Sequence, residues 1–440
     1  MYQFRDPIHG FIDASPQEIK IIDSAPFQRL RHIKHLATTY LVYHGAEHTR
    51  FGHSLGVMHL VTKAFDSTLA NYKASYGEDL FEPTTAKWYR QILRLIALTH
   101  DLGHAPYSHA SEALFEGKLE HEDYTRKILY ETEIADYVNE IGQAFQEENG
   151  NEYYINPELL WLIYHEKNPE LNTSFIMPDF KFLRSFMDSE LDCDKMDYLL
   201  RDSHYCGVNY GTYDLSRLLS SLNVYREKTN KIMQLAINRS GIHSLEEFVI
   251  ARYFMYIQVY FHKTRRLLDI LLVKSIESIL PNKKYPLNVD EYLKFDDNVV
   301  FNKIKESQNE HTNRFINRQV MTCVYDSGTH SDTANDIKIY KLVLNELRQN
   351  LNCEVIEDTP GKLAHMIPLL EVYDVESGKG IPVLVQHLNR PASASTESVL
   401  LKSLINKPIS IMRLYVEKSH ASKAKELVRK FINPEGENDE

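Results

Sequence analysis

The sequence predicts a mainly α-helical protein with a smaller α+β region at its C-terminal end, and three observations predict it. The chain carries 27 tyrosines against 17 glycines, so large amphipathic side chains are plentiful and chain breakers scarce. Several segments of the first 280 residues repeat apolar positions at helical spacing. Past a boundary near Leu280–Tyr285 the character changes to short β-branched runs separated by loops and single helices. Residues 1–280 are therefore expected as a helical domain and residues 281–440 as an α+β region. With 43% hydrophobic and 25% charged residues the composition is that of a globular protein with a sizeable core. A formal net charge of −11 disfavours wholesale coating of nucleic acid. The four cysteines form no CxxC pair and read as reduced thiols. The opening MYQFRDPIHG lacks an apolar h-region and no run approaches 18 apolar residues, so a cytoplasmic protein with no membrane span is expected.

In order, Phe4-Arg5-Asp6-Pro7-Ile8-His9-Gly10 is a turn-rich entry, and residues 16–36 read as helices broken near Pro26. TTYLVY (38–43) suits a short strand, and Ser54 suits the cap of a helix from Leu55. ILRLIALTHDLGHAPYSH (92–109) begins as a helix, with Gly103 and Pro106 interrupting its end. LEHEDYTRKILYE (119–131) starts another helix; PELLWLIYH (157–165) reads as a buried one with a structural His165. Residues 189–211 contain a charge-rich helix, and 244–271 a long one opened by a Ser244/Glu247 capping box. Beyond the boundary come a strand (319–325), a loop (326–336), a helix (337–351), a hairpin (371–386) and a flexible loop (388–398). A strand (409–418) and a helix capped by Ser419 follow, and the acidic tail PEGENDE is expected to be disordered.

The chemistry is concentrated around residues 92–109. His100 beside Asp101 offers a borderline and a hard ligand, a mixture suited to Fe, Mn, Ni or Mg. Taken alone that pair is more often an ordinary helix end. Half of the 20 histidines, however, fall between His32 and His121, which solubility does not require. His53 is a third ligand candidate, with His48 competing for the role; Arg50 nearby could grip a phosphate oxygen. His104 would share a face with His100 if the turn between them stays helical, and His121 lies between Glu120 and Glu122, which favour its protonated form. Asp194, Tyr198 and Asp202 stand at i, i+4 and i+8 on a helix whose Met196, Leu199 and Leu200 require partial burial. A half-buried carboxylate needs a cation, which a metal would supply. Arg252, Tyr256, Tyr260 and Lys263 form a stripe of cations and phenols; an amphipathic surface with snorkelling side chains is the simpler account of it.

Four stretches together resemble the HD-domain phosphohydrolases, and within them the SAM-and-HD-domain deoxynucleoside triphosphate triphosphohydrolases. They are FQRLRHIKHLATTYLVYHGAEHTRFGHSLGV (27–57), ALTHDLGHAPYSH (97–109), LDCDKMDYLLRDSHYCGV (191–208) and YFHK (260–263). The resemblance spans roughly the first 270 residues in order and implies an all-helical HD-domain core. It implies that His53, His100, Asp101 and Asp194 hold a divalent metal, which decides against His48, and that Arg50, Lys195 and Arg252 hold phosphates. Tyr198 and Asp202 would line the sugar end, and His104, His109 and His121 match the catalytic histidines. Glu112 falls where relatives carry Asp to partner His109. On the residue chemistry, His109 oriented by Glu112 is the candidate general acid, with Lys263 joining the phosphate-binding cations and Tyr260 the substrate pocket. One departure stands out: where the family reads RIKQLG, this chain has His32-Ile33-Lys34-His35-Leu36-Ala37. The family glutamine contacts the sugar 3′ hydroxyl and the adjacent leucine packs on C2′, so His35 and Leu36 bear on sugar choice.

The implied reaction splits a (deoxy)nucleoside triphosphate at the α-phosphorus into nucleoside and triphosphate. Implied partners are that substrate, an activating nucleotide, for which Arg318 is a loose match, and a second or further copies in a homodimer or homotetramer. Two other readings compete: an HD phosphoesterase acting on another nucleotide, an alarmone or single-stranded nucleic acid, and a non-catalytic nucleotide sensor.

Overall fold

Local signals start most of the elements in the computed structural model, which describes residues 1–165, 178–226, 233–359, 382–385, 392–404 and 409–432. β1 (Tyr2–Asp6) and β2 (Gly10–Ala14) form an antiparallel hairpin in which Asp6 faces Gly10. Ser15 and Glu18 close a capping box at α1 (Pro16–Asp23), followed by α2 (Ala25–Arg29). α3 (Arg50–Tyr76) runs 27 residues to a left-handed Gly77 and packs against α4 (Pro83–Thr99). α5 (His121–Glu131), α6 (Glu133–Asn149), α7 (Pro157–Tyr164) and α8 (Pro178–Arg184) lead to α9 (Cys193–Cys206), which lies against α3. Asp192 caps α9 through the Lys195 N–H, and Gly207 ends it in the left-handed region.

Next come α10 (Leu215–Ser221), β3 (Leu222–Arg226), β4 (Met233–Asn238) and α11 (Ile242–Met255). A five-residue π-helical turn, Tyr256–Tyr260, separates α11 from α12 (Lys263–Ile279). α13 (Val289–Leu293), α14 (Asp297–Ser307) and α15 (Glu310–Ile316) return to the helical body. The last part holds β5 (Thr322–Asp326), α16 (Ala334–Asn350), β6 (Ile356–Asp358), β7 (Pro382–Leu384), β8 (Ala392–Ser393), α17 (Ala394–Glu397), α18 (Val399–Leu404), β9 (Arg413–Val416) and α19 (Ala421–Ile432). Two small sheets result, ordered β3-β4-β7-β8 and β5-β9-β6. The second sheet, α16 and α19 bury a separate core that includes Val343, Leu347, Leu414 and Val416. The protein is thus a helical body with a small α+β extension. Among the described residues no helix is long and apolar enough to cross a membrane. The four cysteines are unpaired.

Several local expectations are overturned. TTYLVY is no strand: Ala37–Leu41 form a 3-10 turn, held where the Thr38 hydroxyl donates to Asp269 Oδ1 of α12 at 2.6 Å. α3 starts at Arg50, not Leu55, and Thr49 stands at its N-cap. The Arg50 N–H donates to Ile33 O and the His35 N–H to His48 O, tying the helix entry to the preceding segment. Ser244 and Glu247 form no capping box, because a 3-10 turn over Arg239–Gly241 runs straight into α11 and Glu247 accepts from the Asp214 N–H. Within 388–398, Ala392–Ser393 pair with β7 and Ser393 caps α17. Ser419 lies inside a 3-10 turn before α19. The hairpin expected over 371–386 falls largely, and the acidic tail wholly, outside the described residues.

Residues beyond 280 also belong to the helical body. The Tyr292 hydroxyl donates to Gly103 O at 2.7 Å. Asp297 accepts from the Lys34 and Tyr107 N–H groups at 2.9 and 2.7 Å. These contacts brace, from behind, the two loops that line the site described next.

Candidate active site

Three helix ends meet at one point: the first turn of α3 brings Arg50 and His53, the end of α4 brings His100 and Asp101, and the first turn of α9 brings Asp194. His53 Nε2 lies 2.9 Å from Asp194 Oδ1 and 3.7 Å from Asp101 Oδ2. His100 Nε2 lies 3.8 Å from Asp194 Oδ1 and 3.4 Å from Asp101 Oδ1. Bonds of about 2.0–2.1 Å to one cation separate neighbouring donors by about 2.8–3.4 Å, so modest side-chain adjustment completes such a shell. Each imidazole is aimed through its other nitrogen. His100 Nδ1 bonds Ala97 O at 2.8 Å, and His53 Nδ1 bonds Asp197 Oδ2 at 2.8 Å. His100 Nε2 is buried without a hydrogen-bond partner, so this nitrogen is free to serve as a metal ligand. The donor set therefore fits a divalent metal ion.

Charge is balanced across this point. Burial opposes ionisation of Asp101, but Arg50, with Nη1 2.5 Å from Oδ2, and the neighbouring histidines hold its carboxyl well below the usual range. Burial likewise opposes a charged His53, yet the Asp194 and Asp197 carboxylates push its pKa up to about 10. Cation binding must displace that proton, so metal affinity is pH-dependent.

A second group adjoins the first. Glu112 Oε1 stands 3.2, 3.0 and 3.0 Å from the Nδ1 atoms of His104, His109 and His121. His104 Nε2 is 3.2 Å from Asp101 Oδ1, which links the groups. The four donors are close enough to hold an ion. The His104 and His121 rings, however, stack at 3.8 Å and 14°, so their in-plane lone pairs cannot converge on one centre. Proton handling suits them better. Burial drives His104 down to about 3, keeping it neutral, whereas Glu112 outweighs burial at His121 and raises its pKa. His109 is 66% exposed. It follows two left-handed non-glycine residues, Tyr107 (φ 60°) and Ser108 (φ 56°). Such conformers cost about 1–3 kcal/mol each, and Asp297 and Arg50 (Nε to Ser108 Oγ, 2.8 Å) hold them.

The remaining residues form the flanks. Lys195 Nζ bonds Asp192 Oδ2 at 2.6 Å, and Arg252 Nη1 is 3.6 Å from Glu190, whose carboxyl burial raises to about 7. Arg252 Nε is buried and unpartnered, and Lys263 is exposed at the start of α12. At the other flank Asp202 accepts from the Tyr260 hydroxyl at 2.6 Å and pairs with His48 Nε2 at 2.8 Å. His35 Nε2 is 3.7 Å from Asp202, and burial with nearby cationic groups keeps His35 neutral. Tyr198 lies 6.3 Å from Tyr260 between ring centroids, and Leu36 is buried beside His35.

A model described as the HD domain matches residues 50–174, and one described as an HD associated region matches residues 213–335. YwfO of Bacillus subtilis is 32% identical over 352 residues, covering 73% of this chain and 71% of that protein. The chain belongs to the HD-domain phosphohydrolases. Within this family, the deoxynucleoside triphosphate triphosphohydrolase SAMHD1 of Danio rerio is 28% identical over 290 residues, 62% of this chain and 44% of that one. The chain likewise spans 56% of a Methanocaldococcus jannaschii relative. A solved hypothetical protein from Aquifex aeolicus superposes with a TM-score of 0.74 at 29% identity, covering 97% of this chain and 99% of that one. His53, His100 and Asp101, with His104, His109 and His121, fall inside the first matched region and Arg252, Tyr260 and Lys263 inside the second, while Asp194 lies between the two. Spacing singles out none of Asp197, Glu190 and Asp297, although Arg201 four residues after Asp197 is an i, i+4 pair on an otherwise half-apolar helix.

Proposed function

We propose that this HD phosphohydrolase hydrolyses (deoxy)nucleoside triphosphates at the α-phosphorus, giving a nucleoside and inorganic triphosphate. The observation that carries the reading is the placing of the His53–His100–Asp101–Asp194 donors beside both a cationic flank and the Glu112 histidine group. His53, His100, Asp101 and Asp194 would hold a divalent ion (Mn, Fe, Mg or Ni), which would supply Lewis acidity toward a phosphate oxygen and hydroxide near neutral pH. Arg50, Lys195, Arg252 and Lys263 offset the triphosphate charge. Neutral His104 and His121, whose protonated form Glu112 favours, flank Glu112, which orients His109; His109 gives a proton to the departing 5′ oxygen. Water thus adds to phosphorus, the P–O5′ bond breaks, and the nucleoside leaves neutral.

At the sugar end Leu36, Tyr198, Asp202 and Tyr260 form one wall, and His35 stands in place of the family glutamine. A buried His35 Nδ1 without a partner offers a hydrogen bond to a sugar hydroxyl. That observation favours the second reading, an HD phosphoesterase with a different nucleotide, because pocket shape differs from the dNTP-selective pattern. Residues 281–440 are read as the region for oligomerisation and for an activating nucleotide, in a cytoplasmic homodimer or homotetramer; the separate core of α16, α19 and the second sheet supports this. Incubating the protein with mixed nucleotides and Mn or Mg and identifying every product tests the reading. Tripolyphosphate with free nucleoside is expected, and His109→Ala should reduce its release by about 10²–10⁴-fold while metal stays bound. Pyrophosphate or monophosphate products would establish the second reading; bound but unaltered nucleotide would establish a sensor.

A further inference from the structure

The hairpin turn at the N-terminus reaches the back of the metal ligands. Asp197, fully buried on α9, uses both oxygens. Oδ2 bonds His53 Nδ1 at 2.8 Å and Arg201 Nε at 2.8 Å. Oδ1 bonds His9 Nε2 at 2.6 Å and Arg201 Nη2 at 3.0 Å. Arg201, also buried, extends Nη1 to Asp6 Oδ2 at 2.9 Å. Asp6 spends its other oxygen on the turn itself, accepting the Ile8 and His9 N–H groups at 2.9 and 3.0 Å. One carboxylate therefore shapes the turn that presents His9 and fixes the arginine that fixes Asp197.

The surroundings fit this purpose. The network sits on a glycine face of α3, the helix that carries His53. A Cβ at Gly56 would stand 1.9 Å from Asp197 Oδ1, and one at Gly52 would stand 3.3 Å from Arg201 Nη1. Buried ionic groups this dense add little net stability, because desolvation offsets their attraction. They do constrain geometry: a histidine ligand keeps one tautomer and one ring orientation only while its second nitrogen is held.

We propose that His9 and Asp6 of the hairpin turn, acting through Arg201 and Asp197, are positioning residues that lock His53 for metal binding. The inference rests on the metal reading of the preceding subsection. It gives the first ten residues a role in the site that neither matched region covers, since the HD match begins at residue 50.

Titrating metal-free protein with Mn²⁺, with free Mn²⁺ followed by electron paramagnetic resonance, tests it without turnover. Removal of such outer contacts weakens affinity by about 10–100-fold, the loss expected for Asp197→Asn and, toward the lower end, for His9→Phe. His9→Gln, which restores a side-chain N–H toward Asp197, should recover most of it, and Phe11→Ser, an exposed change on the same hairpin, should bind as the wild type does. Wild-type Mn²⁺ affinity in folded His9→Phe and Asp197→Asn overturns the inference. If those two do not fold, Arg201→Lys, which keeps the charge and loses the fork, carries the same expectation and the same refutation. Failure of the underlying metal reading looks different: the wild type itself takes up no Mn²⁺, or His53→Ala takes up as much.

Discussion

His59 shows how a single side chain connects this site to the pH dependence of the whole fold. Its ring lies 5.3 Å from that of His9, and burial, reinforced by the Lys63 ammonium, lowers its pKa to about 4. The unfolded chain protonates this imidazole near pH 6.5 and the folded chain does not until about 4, so the unfolded state binds more protons between those values. The contribution of His59 is therefore full above pH 6.5 and is lost as pH falls toward 4. Thermal unfolding at a series of pH values should show His59→Gln losing less stability than the wild type across that window; parallel curves would refute it. The same residue-level view explains what could be read in advance. His53, His100, Asp101 and Asp194 stand in recognisable runs, and the structure brings each carboxylate within 4 Å of both imidazoles. Asp197 sits inside the 191–208 run without being marked out by it, and Asp297 belongs to no such run. Their importance comes from burial and from partners 144 and 263 residues away in sequence, His53 and Lys34, which spacing along the chain does not encode.

At the scale of elements, α3 is where local propensity and tertiary demand conflict. Alanine is favoured over glycine in a helix interior by about 1 kcal/mol, so Gly56→Ala ought to stabilise an isolated α3. In the fold the new methyl would overlap the Asp197 carboxylate at 1.9 Å, with Arg201 Nη2 at 2.5 Å, and neither group can retreat without breaking its bonds. Overpacking typically costs about 1–3 kcal/mol, which outweighs the propensity gain. Gly56→Ala should therefore lower the midpoint of thermal unfolding and weaken Mn²⁺ binding together, whereas Gly77→Ala at the left-handed C-cap should lower the midpoint alone. The misread elements follow the same rule. A β-rich TTYLVY becomes a 3-10 turn and a Ser244/Glu247 signature makes no cap, because α12 and the Asp214 N–H claim their side chains first. Where no distant partner intervened, as at the Ser15–Glu18 box, the local motif does form.

At the scale of the molecule, the composition change near residue 280 marks a change of texture more than the end of the helical body. Tyr285 and Tyr292 are buried in the same continuous core as Phe115 and Tyr124, and Phe295 packs against it. The Tyr292 ring lies 4.1 Å from that of Tyr124. Arg29 donates to Phe295 O and His104 O at 2.8 and 3.0 Å while its guanidinium lies over Tyr292. Removing such an aromatic from a core costs about 3–5 kcal/mol, a large part of a typical domain's stability of about 5–15 kcal/mol. A chain ended at residue 280 loses Tyr285, Tyr292, Phe295 and Asp297 at once, taking from the 102–108 loop its bonds at Gly103 O and at the Tyr107 N–H and leaving the left-handed Tyr107 without its restraint. Such a chain should expose apolar surface, bind a hydrophobic dye and show no cooperative thermal transition. Tyr292→Phe in the full chain should fold and lose only the bond to Gly103 O, about 0.5–1.5 kcal/mol. A cooperative, Mn²⁺-binding 1–280 fragment would instead make the helices after 280 an independent unit resting against a self-sufficient site.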